Sequence, residues 1–249
     1  MKQPDSTESK WKSIYRLGGW SALGAVLVGI LEIAITFLPG GNVPYETVLD
    51  WFNLFQDNWF MGLRNLGLLN IFLNTLGIFT FFALFAAHRK VNQPFAALAM
   101  LIAFLGIGVF YATNRAFPML DLSNQYAIAT TETQRATLEA AGQTMLSVGQ
   151  SHTPGTFLGF FLLELAGILM SIVMLRGSRF GNVSAYAGIC GFSILLVFEF
   201  FSSFVSGLNT VTMLLAMFGG ILSMVWYILI AGKFFRIAKD AVPDPRPDA

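Results

Sequence analysis

Three glutamates lie inside long apolar runs of this chain: Glu32, Glu164 and Glu199. An ionised carboxylate at the centre of a bilayer costs about 2.5 to 3.5 kcal/mol on insertion scales, so such residues face other helices or a polar cavity instead of lipid. A buried carboxyl group can pair with an arginine, hold a cation, or take up and release a proton. These residues therefore indicate proton or cation chemistry inside a helical bundle.

The apolar runs number six, and each is close to the roughly 20 residues that an α-helix needs to cross a bilayer. They cover residues 17–38, 63–87, 94–113, 155–175, 183–206 and 208–232. The composition agrees with this, because 55% of the 249 residues are hydrophobic and only 12% are charged. The sequence therefore predicts an all-α, polytopic membrane bundle of six transmembrane helices over residues 17–232, between an N-terminal leader at 1–16 and a C-terminal tail at 233–249.

Lysine and arginine residues fall almost entirely on one side of the six predicted helices. Those on that side lie in the leader, in two short loops and in the tail: Lys2, Lys10, Lys12, Arg16, Arg89, Lys90, Arg176, Arg179, Lys233, Arg236, Lys239 and Arg246. Only Arg64, Arg115 and Arg135 remain for the other side. Because short loops rich in Lys and Arg stay in the cytoplasm, both termini are predicted to be cytoplasmic. The basic residues form no clustered patch, so we expect no nucleic-acid partner.

The first of the two larger outer loops, residues 39–62, is rich in aromatic side chains. Its segment 44–60 combines six aromatic residues with three acidic ones. Aromatic rings prefer the headgroup level of a bilayer, where an apolar body and a polar edge are both accommodated. The pattern predicts a short amphipathic helix that lies along the outer membrane surface as an interfacial anchor.

The second outer loop, residues 114–154, is the longest loop of the chain. Within it, Thr131 and Gln134 have the spacing of a capping box, and an alanine-rich stretch at 132–146 has good helix propensity. Loops of this length that contain a helix more often have a function or pack against the rest of the protein than remain unstructured. We therefore expect a helix here, placed as a lid.

Three strings carry a resemblance that extends over nearly the whole chain: "YRLGG", "DWFNLFQDNW" and "NQYAIATTETQRATLEAAGQTML". In these strings the chain resembles a bacterial family of multi-pass membrane proteins known only as a domain of unknown function. The resemblance implies a helical protein of the bacterial inner membrane. It implies no activity, cofactor or catalytic residue.

Helical spacing directs polar residues of several predicted helices toward one region. Glu32 shares a helix face with small residues, which permit close helix contact. At 1.5 Å per residue from the outer helix ends, Glu32 lies roughly 9 Å deep, Glu199 roughly 10 Å and Glu164 roughly 14 Å. We therefore expect a polar cavity that opens toward the periplasm, with Arg115 as a further counter-ion. It would be built from Glu32, Arg64, Asn70, Glu164 and Glu199.

Three interpretations fit this cluster. In the first, the acids pair with Arg64, Arg115 or asparagine side chains, or stay protonated, and only hold helices together. In the second, the glutamates exchange protons or bind a cation and thereby drive movement of a small solute or cation. In the third, paired carboxylates perform acid and base catalysis. Transport is the active role that the residues favour, a structural, accessory or sensory role is its alternative, and an enzyme is the least favoured class.

Residues for other chemistries are missing from the sequence or are wrongly spaced. His88 and His152 are far apart and predicted on opposite membrane faces, so no metal site is expected. The chain has no glycine-rich phosphate loop and no nucleophile elbow, and its single cysteine, Cys190, lies within the fifth apolar run. We therefore expect no cofactor, and as partners we expect membrane lipids and a small solute or cation.

Overall fold

The computed structural model describes residues 10–36, 45–148 and 151–240, and all regular structure in these ranges is helical. In chain order the helices are α1 (Lys12–Thr36), α2 (Val48–Asp57), α3 (Trp59–Asn65), α4 (Leu68–Thr113), α5 (Ala116–Ile128), α6 (Glu132–Ser147), α7 (Phe157–Leu175), α8 (Gly181–Phe204) and α9 (Asn209–Asp240). The predicted all-α class is confirmed. Most of the predicted leader, the segment 37–44 and the end of the predicted tail lie outside the described residues.

Five helical stretches are long and apolar enough to cross a membrane: Lys12–Thr36, Leu68–Ile128, Phe157–Leu175, Gly181–Phe204 and Asn209–Asp240. Such stretches indicate a membrane protein, because their apolar side chains remain largely uncovered within the chain itself. Helical structure extends beyond the first and the last predicted span. Residues 12–16 of the leader belong to α1, and residues 233–240 of the tail continue α9, since good helix formers extend a helix beyond its apolar part.

Most of the second predicted span, the loop after it and the third predicted span form the single helical stretch α4, whereas residues 63–65 of the second span belong to α3. Its backbone leaves helical geometry at Asn92, with φ −154° and ψ 72°, two residues before Pro94. Proline has no N–H to donate and its ring disfavours helical geometry in the preceding residue, so a break is expected here.

The two halves of α4 lie side by side and antiparallel. The Thr75 Oγ1 atom lies 2.8 Å from the Tyr111 hydroxyl oxygen, although 36 residues separate them in the chain. The Asn114 side-chain amide also donates to the Leu66 carbonyl oxygen at 3.3 Å. In a continuous helix, residues 36 positions apart would be about 54 Å distant, so the chain reverses direction at Asn92.

The long helices close into a ring. α1 packs against α4 and α9, α4 packs against α7, and α8 packs against both α7 and α9. Small residues allow close approach within this ring. A Cβ atom at Gly106 of α4 would lie 3.0 Å from the carbonyl oxygen of Gly159 in α7, so the backbones of these two helices are in near contact.

One end of the ring is covered by α2, α3, α5 and α6, and we call it the capped end. These helices share an apolar cluster of their own, made of Val48, Trp51, Phe52, Phe55, Leu63, Leu66, Ala116 and Met119. Three aromatic residues predicted to lie at the membrane surface, Trp51, Phe52 and Phe55, are buried in this cluster. The predicted helix at 44–60 is also divided, because Asn58 ends α2 and caps α3 by accepting a hydrogen bond from the Met61 N–H.

Polar caps define the short helices of the capped end. In α6 the Thr131 hydroxyl accepts from the Gln134 N–H and the Gln134 side chain accepts from the Thr131 N–H, which confirms the predicted capping box. Thr47 and Asp50 form a second capping box at α2. Hydrogen bonds from the Thr47 backbone and side chain hold the pKa of the Asp50 carboxyl below its usual range, so this cap is ionised at neutral pH.

Basic and aromatic residues meet at the opposite end, which we call the basic end. The Arg89 guanidinium lies 4.6 Å from the centre of the Trp11 ring, and the Arg176 guanidinium lies 5.7 Å from the centre of the Phe95 ring. Arg89 also donates to the Tyr15 hydroxyl at 3.0 Å. Contacts of this kind link α1, the break in α4 and the end of α7.

Substituting Gly106 by Leu tests the close contact between α4 and α7. The new side chain would meet backbone atoms of Gly159 and Leu163, which cannot move aside as a flexible side chain can. We expect a loss of about 1 to 3 kcal/mol of stability, measured as a lowered unfolding temperature in detergent. Gly108→Leu is the control, because nothing lies within 4 Å of a Cβ atom there. Equal unfolding temperatures for the two variants would contradict this packing.

Candidate functional site

A cavity of about 230 Å³ lies within the helical ring, between α4, α7, α8 and α9. Its polar lining consists of Asn70, Asn74, His152, Glu164, Ser223 and Tyr227. Three phenylalanines complete much of the wall: Phe81, Phe160 and Phe192. The cavity therefore combines one acidic group with neutral polar groups and aromatic rings, as small-molecule sites do.

Helical periodicity explains how the sequence directs these residues inward. Asn70 and Asn74 are four residues apart on the first half of α4, and Ser223 and Tyr227 are four residues apart on α9, so each pair occupies one helix face. The Asn74 side-chain amide donates to the Asn70 carbonyl oxygen at 2.8 Å, which fixes the direction of that side chain. Two neighbouring helices thus present their polar faces to the same space.

Glu164 of α7 is the acidic group of the cavity. Its Oε2 atom is buried and has no hydrogen-bond partner among the described residues. Tyr227 of α9 lines the same cavity. An unpaired buried carboxyl oxygen costs free energy unless something binds to it, so Glu164 is the group that a proton or a ligand would satisfy.

His152 and Glu199 form a second polar group at the edge of the cavity. The His152 Nδ1 atom lies 2.6 Å from Glu199 Oε2, and Glu199 is almost completely buried in α8. The Ser203 hydroxyl donates to Glu199 Oε1 at 3.4 Å, and the Ser202 hydroxyl donates to the His152 carbonyl oxygen at 2.9 Å. These contacts tie the segment before α7 to the end of α8.

The imidazole of His152 is held between aromatic rings. Its centre lies 4.3 Å from the centre of the Phe160 ring and 4.8 Å from that of Phe198. The backbone of His152 has φ 63°, in the left-handed region that residues with a side chain seldom adopt. Ring contacts and the Glu199 hydrogen bond therefore stabilise a conformation that is locally unfavourable.

Glu32 and Arg64 form an ion pair near the capped end, outside the group of described residues that line the cavity. The Arg64 Nη2 atom lies 2.9 Å from Glu32 Oε1 and also donates to the Glu32 carbonyl oxygen at 3.1 Å. Further hydrogen bonds connect the buried guanidinium to the Thr36 hydroxyl and to the Asn65 side chain. Gly67, with φ 97°, allows the turn that joins α3, which carries Arg64, to α4. The pair links α1 to the cap.

The structure thus divides the predicted cluster into parts. Asn70 and Glu164 line one cavity, and Glu199 reaches it through His152. Glu32 and Arg64 pair with each other. Arg115 is buried at the start of α5, and in the described parts of the chain it forms no ion pair with any of the three glutamates.

Four polar residues of the cavity are absent from the predicted site: Asn74, His152, Ser223 and Tyr227. The sequence analysis considered His152 only as a metal ligand, and the described residues contain no cluster that could hold a metal ion. The spacing of Ser223 and Tyr227 within an apolar run is a signal that could have identified them, because it places two polar groups on one helix face.

Arg64→Met tests the ion pair. We expect the loss of the buried guanidinium to leave Glu32 without its partner and to lower stability by about 1 to 3 kcal/mol, read from unfolding temperatures in detergent. Arg135→Met is the matched control, because Arg135 is exposed and lies 3.9 Å from the exposed Glu132. If both variants unfold at the same temperature, Arg64 does not anchor α1.

No family model matches the chain, and no curated protein or solved structure shows significant similarity to it. Function must therefore be inferred from the chemistry of the cavity.

Proposed function

We propose that this protein is a multi-pass protein of the bacterial inner membrane that moves a small solute or cation across the bilayer, coupled to protonation of Glu164. The observation that carries the proposal is the unpaired, buried carboxyl oxygen of Glu164 in a cavity of about 230 Å³. Intramembrane carboxyl groups beside a cavity are typical of proton and ion pathways.

The proposal includes six crossings of the bilayer. With 46 residues, α4 would extend about 69 Å as a straight helix, roughly twice the thickness of a hydrocarbon core. Its two antiparallel halves are each about long enough to cross once. Together with α1, α7, α8 and α9 they supply six crossings and place the break at Asn92 outside the bilayer.

The charge distribution supports one orientation. Arg89 and Arg176 lie at the basic end, near the break in α4 and the end of α7. Because basic residues in short loops remain cytoplasmic, we assign the basic end and both termini to the cytoplasm. The capped end, with α2, α3, α5 and α6, then faces the periplasm.

Proton coupling follows from the charges that face Glu164. Glu199 approaches from α8, Tyr227 from α9 and His152 from the segment before α7, while α4 contributes the uncharged Asn70 and Asn74. Two neighbouring carboxylates in a medium of low dielectric repel each other when both are ionised. A proton or a cation at Glu164 relieves this repulsion. The proton and the cation therefore compete for the same site, and their movements are coupled.

A structural role is favoured for Glu32 and Arg64 by their direct pairing between α1 and the cap. This is the contact that the helix-linking interpretation of the acids predicts. We therefore assign transport to the cavity and assign stabilisation of the bundle to this pair.

Glu164→Gln tests the transport mechanism. The amide cannot exchange a proton, so we expect proteoliposomes with this variant to lose cation-dependent proton movement while the purified protein stays folded. The measurement is the fluorescence of an internal pH dye after addition of sodium, potassium, ammonium or methylammonium chloride. Glu132→Gln, at an exposed position of α6, is the control and should behave as the wild type. Full proton movement in Glu164→Gln, or none in the wild type with any of these salts, would contradict the proposal.

Cysteine labelling tests the six crossings and the orientation. In a Cys190→Ala background, Gln93→Cys places a thiol at the exposed break of α4 and Thr133→Cys places one on α6. We expect a membrane-impermeant maleimide to label position 133 from the periplasmic side and position 93 from the cytoplasmic side only. Labelling of both positions from the same side would exclude this topology.

A further inference from the structure

Aromatic rings line the cavity that holds Glu164. Phe81, Phe160, Phe192 and Tyr227 all contribute to its surface. The faces of aromatic rings carry negative partial charge and attract cations, and the attraction strengthens when the cation is removed from water. The same rings also offer apolar contact area. A ligand with both a positive charge and a carbon skeleton is therefore complementary to the wall.

The charges of the lining favour a cation over an anion or a neutral solute. Its described residues include the carboxyl group of Glu164 and no lysine or arginine. The Glu164 Oε2 atom is unpaired, whereas Glu199 already has His152 as a partner. An anion would be repelled by the two carboxyl groups when they are ionised, and a neutral solute would not compensate the charge of Glu164 in its ionised form.

The distribution of ligand atoms favours an organic cation over a metal ion. Metal cations such as Ca²⁺ take six to eight oxygen ligands in a compact shell. Here part of the lining of the cavity of about 230 Å³ offers no ligand to a metal ion, namely Leu73, Leu163 and Leu195, and the described residues contain no cluster that could hold a metal ion.

We propose that the ligand of this cavity is a small primary ammonium ion with a short carbon chain. Its N–H groups donate to the free oxygen of Glu164, and its chain lies against the aromatic and leucine side chains. This inference rests on the proposed function, because it names the class of solute that the same cavity takes. Tyr227 lines the same cavity as Glu164 and places its ring beside the ammonium group.

The test uses n-butylammonium chloride as the probe and calorimetric titration of the full-length protein in detergent. Sodium chloride, potassium chloride, n-butanol and sodium butyrate are titrated at equal ionic strength as the inorganic, neutral and anionic comparisons. We expect binding of n-butylammonium alone. Glu164→Gln should raise its Kd by at least about tenfold, which corresponds to about 1.4 kcal/mol.

A second pair of variants keeps the result interpretable if Glu164→Gln fails to fold. Tyr227→Leu removes the ring and should raise the Kd by about 3- to 10-fold, whereas Tyr227→Phe keeps the ring and should change it little. Equal affinity in both variants would overturn the role of the ring in binding an ammonium ion. Glu132→Gln should bind as the wild type does.

The outcomes separate this inference from the proposed function. Suppose that n-butylammonium does not bind, whereas sodium, potassium or n-butanol binds and its binding requires Glu164. The ammonium class is then wrong, while the cavity remains a solute site. If proton movement in proteoliposomes depends on Glu164 but n-butylammonium does not bind, the ammonium class alone is again overturned. If neither binding nor proton movement depends on Glu164, both proposals fail.

Discussion

A carboxyl group inside an apolar helical bundle has an electrostatic free energy that depends almost entirely on what lies next to it. The three intramembrane glutamates of this protein meet that constraint in three different ways. Glu32 has the guanidinium of Arg64, Glu199 has the imidazole of His152, and Glu164 has a cavity. The differences in partner separate two paired carboxyl groups from one that faces a cavity, although the three residues look equivalent along the chain.

The partners of two of these acids come from outside the long helices. Arg64 lies on the short helix α3, and His152 lies in the segment that precedes α7. The segment between α6 and α7 brings His152 to α8, and the cap has a role beyond covering one end of the ring, because its helix α3 brings the Arg64 guanidinium to α1. Its own apolar cluster, built around Trp51 and Phe52, fixes the position from which Arg64 reaches Glu32. Stability of the cap and geometry of the polar groups are therefore linked.

The capped end also shows what the composition of an aromatic, acidic segment leaves open. Such a segment can lie flat on a membrane or fold against other outer helices, and both arrangements bury aromatic rings. Here α5 and α6 supply apolar residues that receive Trp51, Phe52 and Phe55. No helix was expected at α5, because the analysis of residues 114–154 rested on the capping box of α6. Nothing in the local pattern of residues 44–60 specified these distant partners.

Much of the architecture is set by local properties of the chain. Length and hydropathy of the apolar runs determine the long helices, Pro94 determines the region of the break in α4, and the spacing of Thr131 and Gln134 determines the start of α6. Each of these follows from interactions within about one helical turn, such as capping hydrogen bonds or the missing N–H of proline. Helical periodicity also brings Asn70 to the face that lines the cavity.

The pairing of the glutamates was decided by the tertiary structure alone. Depth along a helix can be counted from the sequence, but the direction in which each helix faces its neighbours depends on the order of the ring and on the close approach of α4 and α7 at Gly106 and Gly159. That order placed His152 beside Glu199 and, among the residues that the structure describes, left Arg115 apart from the acids and the Glu164 Oε2 atom without a hydrogen-bond partner. A carboxyl group has the same chemistry at every position in a sequence, and only contacts made across the fold determine whether it links helices or binds a ligand.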